Sequence, residues 1–171
     1  MAVNLSTLQF EQSSLVKTVL DCLTRHNVPP EMLILEVTET TAMSNPDESV
    51  RVLTELTDAG VKASIDDFGT GYSSLLYLKR LPACELKIDR AFVKELSGES
   101  EDATIVSAIV ALAKTLNLKV VAEGVETEAQ QTFLTELGCN TLQGYLLGKP
   151  ASAQTIEALC ARGEMLPGAE L

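Results

Sequence analysis

The chain has 171 residues, 46% of them apolar, and a mean hydropathy of +0.15, which suits a folded domain and excludes a disordered or collagen-like chain. Its 24 acidic residues outnumber its 13 lysines and arginines and give a formal net charge of −11. Because a protein that binds DNA or RNA duplexes non-specifically needs a basic face, this acidity argues against that class of partner. We expect one globular domain.

The cysteines, the single histidine and the N-terminus show no sign of export or of a zinc site. The four cysteines, Cys22, Cys84, Cys139 and Cys160, are scattered without a C-x-x-C pair, and we expect them to be reduced and mostly buried. His26 is the only histidine and is predicted to lie at the surface, so a zinc site is not expected. The chain has neither a signal-peptide pattern nor an apolar run of about 18 residues, and we expect it to be cytoplasmic and without membrane contact.

Six short runs of apolar and β-branched residues alternate with stretches that have helical periodicity. The runs predict strands at residues 2–5, 33–37, 61–65, 85–88, 119–122 and 141–146. The periodic stretches predict helices at residues 10–26, 46–59, 73–80, 102–116, 127–137 and 153–161, with Thr127 as an N-cap and Gly60 and Gly138 as C-caps. We expect the domain to occupy residues 1–162 and residues 163–171 to form a loose tail.

This alternation of strands and helices predicts an α/β fold with parallel strands. A (β/α) TIM-type barrel has eight such units in about 250 residues, so the chain fits an incomplete barrel with about six units, or a six-stranded doubly wound sheet. Periodicity alone leaves both open. Polar residues favour the barrel, because they lie near the C-terminal end of every predicted strand, and in a barrel those ends converge on one mouth. These residues are Asn4, Glu36, Glu39, Asp66, Asp67, Lys87, Asp89, Glu123, Glu126 and Gln143.

The acidic members of this set predict a site for a hard divalent cation. Asp66 and Asp67 are adjacent, and two neighbouring carboxylates repel each other unless a positive charge lies between them. Oxygen donors of this kind, Asn4, Glu36, Asp66, Asp67 and Glu123, suit Mg²⁺ or Mn²⁺ rather than zinc. Two such ions clamp the attacking and leaving oxygens in a phosphodiester displacement, and Lys87 is placed to orient water or offset phosphate charge.

Each of these residues also has a purely structural interpretation. Glu39 is placed to cap the helix that follows it, and Asp67 begins a segment that reads as a turn. The Lys87 side chain is long enough to extend its ammonium group to solvent. Gln143 and Gly144 suit a strand bulge.

Six segments, taken in order through about residue 150, resemble the EAL domain family. They are VNLS at 3–6, LEVTE at 35–39, DDFGTGYSSL at 66–75, KIDRAFV at 87–93, VAEGVE at 121–126 and QGY at 143–145. The family comprises bacterial phosphodiesterases, hydrolases that cut the second messenger cyclic di-GMP to the linear dinucleotide pGpG. The resemblance therefore implies a TIM-type barrel, a Mg²⁺ or Mn²⁺ cofactor with two ions in the complete domain, and a place within a larger signalling protein.

The resemblance also implies a role for each matching residue. It implies metal ligation by Asn4, Glu36, Asp66, Asp67 and Glu123, and preparation of the attacking water by Lys87 and Glu123 with support from Gln143. Glu39 would hold the loop at residues 68–74, which couples the metal site to the dimer interface in this family. Asp89 and Glu126 would lie close to the substrate.

One departure from the family pattern is large: the Glu-Ala-Leu motif that names the family, with its metal-ligating Glu, is absent. The chain therefore resembles the part of an EAL domain that starts at its third strand. Two absent strands would expose unpaired sheet edges, and we expect self-association, such as a homodimer. The expected route is either the dimer surface that the resemblance implies near residues 68–92, or pairing or swapping of the exposed edges. The predicted function is metal-dependent hydrolysis of cyclic di-GMP. The alternatives are a catalytically inactive sensor or protein-docking module of EAL type, and another metal-dependent barrel enzyme.

Overall fold

The computed structural model of the chain describes residues 1–71, 74–96 and 100–162, and within them one sheet carries six strands in sequence order. The strands are β1 (Ala2–Leu5), β2 (Ile34–Thr38), β3 (Lys62–Phe68), β4 (Glu85–Ile88), β5 (Lys119–Ala122) and β6 (Thr141–Leu142). The helices are α1 (Thr7–Phe10), α2 (Leu15–Arg25), α3 (Glu39–Ser44), α4 (Pro46–Asp58), α5 (Leu75–Leu78), α6 (Arg90–Lys94), α7 (Glu101–Thr115), α8 (Glu128–Leu137) and α9 (Ala153–Arg162). A short 3-10 helix covers Pro30–Met32.

Parallel pairing places the polar ends of neighbouring strands at the same edge of the sheet. In β1 and β2 the register pairs Asn4 with Glu36, and in β2 and β3 it pairs Thr38 with Asp66. β5 and β6 are also parallel. The alternate residues Val37 and Ile65 are fully buried, because the helices that connect parallel strands cover the sheet faces.

The chain divides into two compact units. The first comprises Met1–Lys87 with Leu112–Lys119, and the second comprises Ile88–Ala111 with the described residues from Val120 on. In the first unit, α4 packs against β3 and buries Leu53 completely. In the second unit, α8 starts at a capping box on Thr127 and ends at Gly138 with φ of 92°, as its predicted caps require.

Several predicted boundaries are wrong, each for a local reason. The helix predicted at 10–26 begins only at Leu15, since Phe10 is the last residue of α1, which a capping box at Ser6 starts. In the turn between the two helices the Leu15 amide donates to the carbonyl of Gln12. The third strand continues to Phe68. The sixth ends at Leu142, since the chain turns after Gln143. The short helices α3 and α6 were not predicted, and the proposed tail at 163–171 lies outside the described residues.

The prediction that the cysteines are mostly buried is also wrong. Cys22 and Cys160 are exposed, Cys84 and Cys139 are half-buried, and all four are free thiols. Partial burial raises the pKa of the Cys84 thiol, and the neighbouring Glu85 carboxylate adds to the rise. No helix in the described parts of the chain combines the length and the apolar composition needed to cross a membrane.

Candidate functional site

Three charged side chains from neighbouring strands form a buried ion cluster in the first unit. The Lys87 Nζ atom on β4 lies 2.9 Å from Glu36 Oε1 on β2 and 3.0 Å from Asp66 Oδ1 on β3. The Lys87 side chain is only 5% exposed and the two acidic side chains are each 10% exposed. The alternative in which Lys87 extends to solvent is therefore wrong. Buried charges are tolerated only when they are paired, and in this cluster each carboxylate is paired with the same ammonium group.

The second oxygen of each carboxylate faces the side-chain amide of Asn4 on β1. One terminal atom of the Asn4 amide lies 3.2 Å from both Glu36 Oε2 and Asp66 Oδ2. When the amide is turned so that this atom is the nitrogen, it donates a hydrogen bond to each carboxylate. In the opposite orientation this atom is the Asn4 amide oxygen, and it lies beside Glu36 Oε2 and Asp66 Oδ2 as a group of three oxygens. Ligands about 2.1 Å from an octahedral Mg²⁺ are separated by roughly 3 Å, so these three side chains fit a hard divalent cation.

The adjacent acids Asp66 and Asp67 lie within β3 rather than after it, and the backbone changes from an extended to a left-handed conformation at Asp67. Asp67 has φ of 53°, a left-handed conformation that is uncommon outside glycine and breaks the alternation of side chains along a strand. Its amide donates to Asp66 Oδ1 at 3.0 Å, and a carboxylate oxygen of each residue lies within 4.8 Å of the other. The two carboxylates therefore lie on the same side, where one cation can contact both.

Glu39 connects the start of α3 to the segment that follows β3. Thr38, not Glu39, is the N-cap of α3, so the capping interpretation of Glu39 is wrong. The Glu39 side chain is almost fully buried, and its Oε2 atom accepts a hydrogen bond of 2.8 Å from the Gly69 amide. At Gly71 an added Cβ would lie 2.9 Å from Glu39 Oε1. Of the predicted loop at 68–74, residues 72 and 73 lie outside the described residues.

Removing the Glu39 carboxylate is expected to destabilise the protein measurably. Glu39→Ala should lower the free energy of unfolding by about 1.5–3 kcal/mol, because the Gly69 amide loses a charge-assisted acceptor. Glu39→Gln retains an oxygen acceptor and should cost less. Urea unfolding followed by circular dichroism measures both, and an alanine variant as stable as the wild type would contradict the expectation.

The remaining candidates lie in the second unit. Glu123 directly follows β5, is half-buried, and donates its amide to the Ile88 carbonyl at 3.2 Å. Asp89 is the N-cap of α6 and accepts from the Ala91 amide at 2.7 Å. Glu126 and Gln143 have exposed side chains in the loops that follow β5 and β6.

Two positions that contact these loops, Gln130 and Gly144, were missed at the level of sequence. Gln130 on α8 is buried and its side chain makes four hydrogen bonds. The spacing Thr127-x-x-Gln130 is a capping-box signature that predicts one of them. Gly144 lies so close to Val125 that an added Cβ would be 2.1 Å from the Val125 carbonyl oxygen. No local signal predicts that contact.

Comparison with known proteins provides a family and several relatives. The family model described as "EAL domain" matches residues 1–150. The bifunctional diguanylate cyclase/cyclic di-GMP phosphodiesterase MucR of Pseudomonas aeruginosa is 65% identical over 161 residues, which is 94% of this chain and 24% of MucR. A solved structure of PaMucR phosphodiesterase in a c-di-GMP complex matches with a TM-score of 0.89 and 66% identity, covering 91% of this chain and 69% of that one. A manganese/cy-diGMP complex of BlrP1 from Klebsiella pneumoniae matches with a TM-score of 0.78 and 35% identity, covering 88% and 38%.

These matches confirm the predicted α/β fold, with its alternating strands and helices, as that of the matched structures. The chain spans about a quarter of the length of the curated relative and about two thirds of the solved PaMucR chain.

Proposed function

Because the chain belongs to the EAL domain family, we propose that it carries the catalytic residues of a metal-dependent phosphodiesterase that hydrolyses cyclic di-GMP to linear pGpG. The observation that supports this most directly is the buried cluster of Lys87 with Glu36 and Asp66, next to the Asn4 amide. A fold needs no such cluster for stability, since well-packed apolar residues stabilise equally well. Buried charges at the strand ends of an α/β fold suit a polyanionic substrate and its cations.

The proposed cation ligands are the oxygen donors on β1, β2 and β3 together with the acid that follows β5. These are Asn4, Glu36, Asp66, Asp67 and Glu123. Their all-oxygen composition favours Mg²⁺ or Mn²⁺, and the manganese complex of BlrP1 supports the same choice. Bound divalent cations would stabilise negative charge on the phosphate and make a nearby water more acidic.

The chain's own side chains then have distinct tasks in this proposal. Lys87 pairs with the Glu36 and Asp66 carboxylates and offsets negative charge on the phosphate. Glu123 accepts the proton from the attacking water, with Gln143 orienting that water. The water oxygen bonds to phosphorus, the P–O3′ bond breaks, and the leaving oxygen takes up a proton, which yields a 5′-phosphate and a free 3′-hydroxyl. Asp89 and Glu126 are proposed to contact the substrate.

Incubation of the purified chain with cyclic di-GMP and Mn²⁺ tests this function, with pGpG detected by chromatography. Glu123→Gln should lower product formation at least about 100-fold, because the amide cannot accept the proton. Glu128→Gln, an exposed change of the same kind on α8, should leave it unchanged. Bound nucleotide without product would indicate a sensor instead. Neither binding nor product would overturn the proposal for this chain.

We also propose that the chain self-associates through the edge of its sheet. β1 is the first strand in sheet order, and Met1 and Val3 on it are 78% and 38% exposed. Beside it lies an apolar groove of about 680 Å³ whose walls include Leu5, Leu15 and Leu35. An exposed strand edge next to apolar surface is a site for pairing with a second chain.

Light scattering at high protein concentration tests this association and should give a mass of at least two chains. Val3→Lys should shift the protein towards monomer by introducing a charge on the exposed edge. Ile105→Lys provides a matched control, since Ile105 is 41% exposed on α7. A monomeric wild type would contradict the proposal.

A further inference from the structure

Gln130 lies in the first turn of α8 and its side chain is buried. Every donor and acceptor of its side-chain amide makes a hydrogen bond. Its Oε1 atom accepts from the amides of Glu126 at 2.8 Å and Thr127 at 3.0 Å. Its Nε2 atom donates to the carbonyl oxygens of Val93 at 2.9 Å and Lys94 at 3.2 Å. The residue is 5% exposed. A side-chain amide has two acceptor sites and two donors. All four are used here, and they link the loop before α8 to the end of α6.

A helix cap alone does not require this arrangement. Of the four bonds made by the Gln130 side chain, the capping box needs only the one from the Thr127 amide. The two donated bonds instead reach the carbonyl oxygens of Val93 and Lys94, the last two residues of α6, and the Val93 oxygen also accepts from the Leu96 amide at 3.2 Å. Gln130 therefore fixes the loop at residues 123–127 to the C-terminal end of α6.

The other side of this loop, the segment at residues 123–127, is held by close backbone packing. Gly124 has φ of 72°, and an added Cβ would lie 2.6 Å from the Cβ of Arg90, the first residue of α6. The Val125 amide donates to the Gln143 carbonyl at 3.0 Å. The loop is thus attached to both ends of α6 and to the segment after β6, and Gln130 is the side chain that makes one of these attachments.

We propose that Gln130 is a positioning residue, which orients the backbone that carries Glu123 and Glu126. The inference rests on the proposed function, in which Glu123 accepts a proton and Glu126 contacts the substrate. Misplacement of a reacting group by about 1 Å can cost about 100-fold in rate, so a side chain that sets the position of this backbone affects turnover without touching the substrate. The larger effect of removing the Gln130 amide is expected on kcat, through Glu123, and a smaller effect on KM, through Glu126.

Steady-state kinetics with Mn²⁺ and cyclic di-GMP tests this role in three variants. Gln130→Met keeps the length of the side chain and removes all four bonds, and it should lower kcat about tenfold or more with KM changed less than about twofold. Gln130→Glu keeps an acceptor for the loop amides and should recover part of that loss. Gln131→Met makes the same change at the neighbouring, half-buried position and should have no effect. Circular dichroism at the assay temperature confirms that each variant is folded.

Equal kcat in Gln130→Met and the wild type would overturn the inference, as would a change confined to KM or an equal loss in Gln131→Met. A wild-type chain without pGpG formation contradicts the proposed function, and amide hydrogen exchange then decides the role of Gln130 separately. Faster exchange at the Glu123 amide in Gln130→Met supports positioning, because that amide bonds to Ile88 and not to Gln130. Unchanged exchange there limits Gln130 to capping α8 and overturns the inference. Gln130→Glu replaces Gln130→Met in both measurements if the methionine variant does not fold.

Discussion

Lys87→Met is expected to lower the free energy of unfolding by about 3–5 kcal/mol and to abolish hydrolysis of cyclic di-GMP. The ammonium group lies within 3.0 Å of both Glu36 and Asp66, whose side chains are each 10% exposed. Methionine fills nearly the same volume, so the change removes the charge and creates little cavity. It leaves two buried carboxylates without their common counterion, and such an uncompensated charge costs more than a lost surface ion pair.

Urea unfolding of the apo protein and chromatography of the nucleotide products measure the two effects of this change. Lys79→Met is the matched control, because Lys79 is exposed and its loss should change stability by less than about 0.5 kcal/mol. Saturating Mn²⁺ should restore part of the stability of Lys87→Met, since a cation at the Asn4 side offsets the same carboxylates, but it should not restore turnover. A Lys87→Met protein as stable as the wild type would show that the cluster contributes nothing to folding.

Gly144→Ala is expected to destabilise the second unit by about 3 kcal/mol or more, at the upper end of the range for overpacking. An added Cβ would lie 2.1 Å from the Val125 oxygen and 2.2 Å from its nitrogen. Both atoms belong to the backbone, which cannot rotate away as a side chain can. The segment after β6 would have to move, and the bond from the Val125 amide to the Gln143 carbonyl would lengthen or break.

Thermal unfolding and the kinetics of pGpG formation measure this effect. Gly148→Ala adds the same methyl group four residues later and should be tolerated far better, because φ is positive at neither glycine and the close approach to the Val125 backbone is a feature of Gly144. Because the displaced segment borders the loop at residues 123–127, Gly144→Ala should also lower kcat. Equal melting temperatures for the two alanine variants would contradict the close approach at Gly144.

The sequence by itself determined the α/β fold class and indicated the candidate site residues. The predicted bounds of β1, β4 and β5 match the structure to the residue, because each strand is a short, mainly apolar run bounded by residues that do not continue it. The caps of α8 were also predicted correctly, because Thr127 and Gly138 form their capping hydrogen bonds with residues only three or four positions away. The DDFGTGYSSL segment carried the family resemblance, and the family match over residues 1–150 agrees with it.

Only the tertiary structure decided which partner each polar side chain has. Lys87 pairs with Glu36, 51 positions earlier in the chain, and the Glu39 carboxylate binds an amide 30 positions away. Gln130 similarly reaches the carbonyl groups of α6, 36 and 37 positions back. These contacts depend on strand register and on helix packing, which arise from the whole chain. Local patterns predict elements and caps because their interactions span a few residues, whereas a buried polar group finds its partner only after distant segments have packed together.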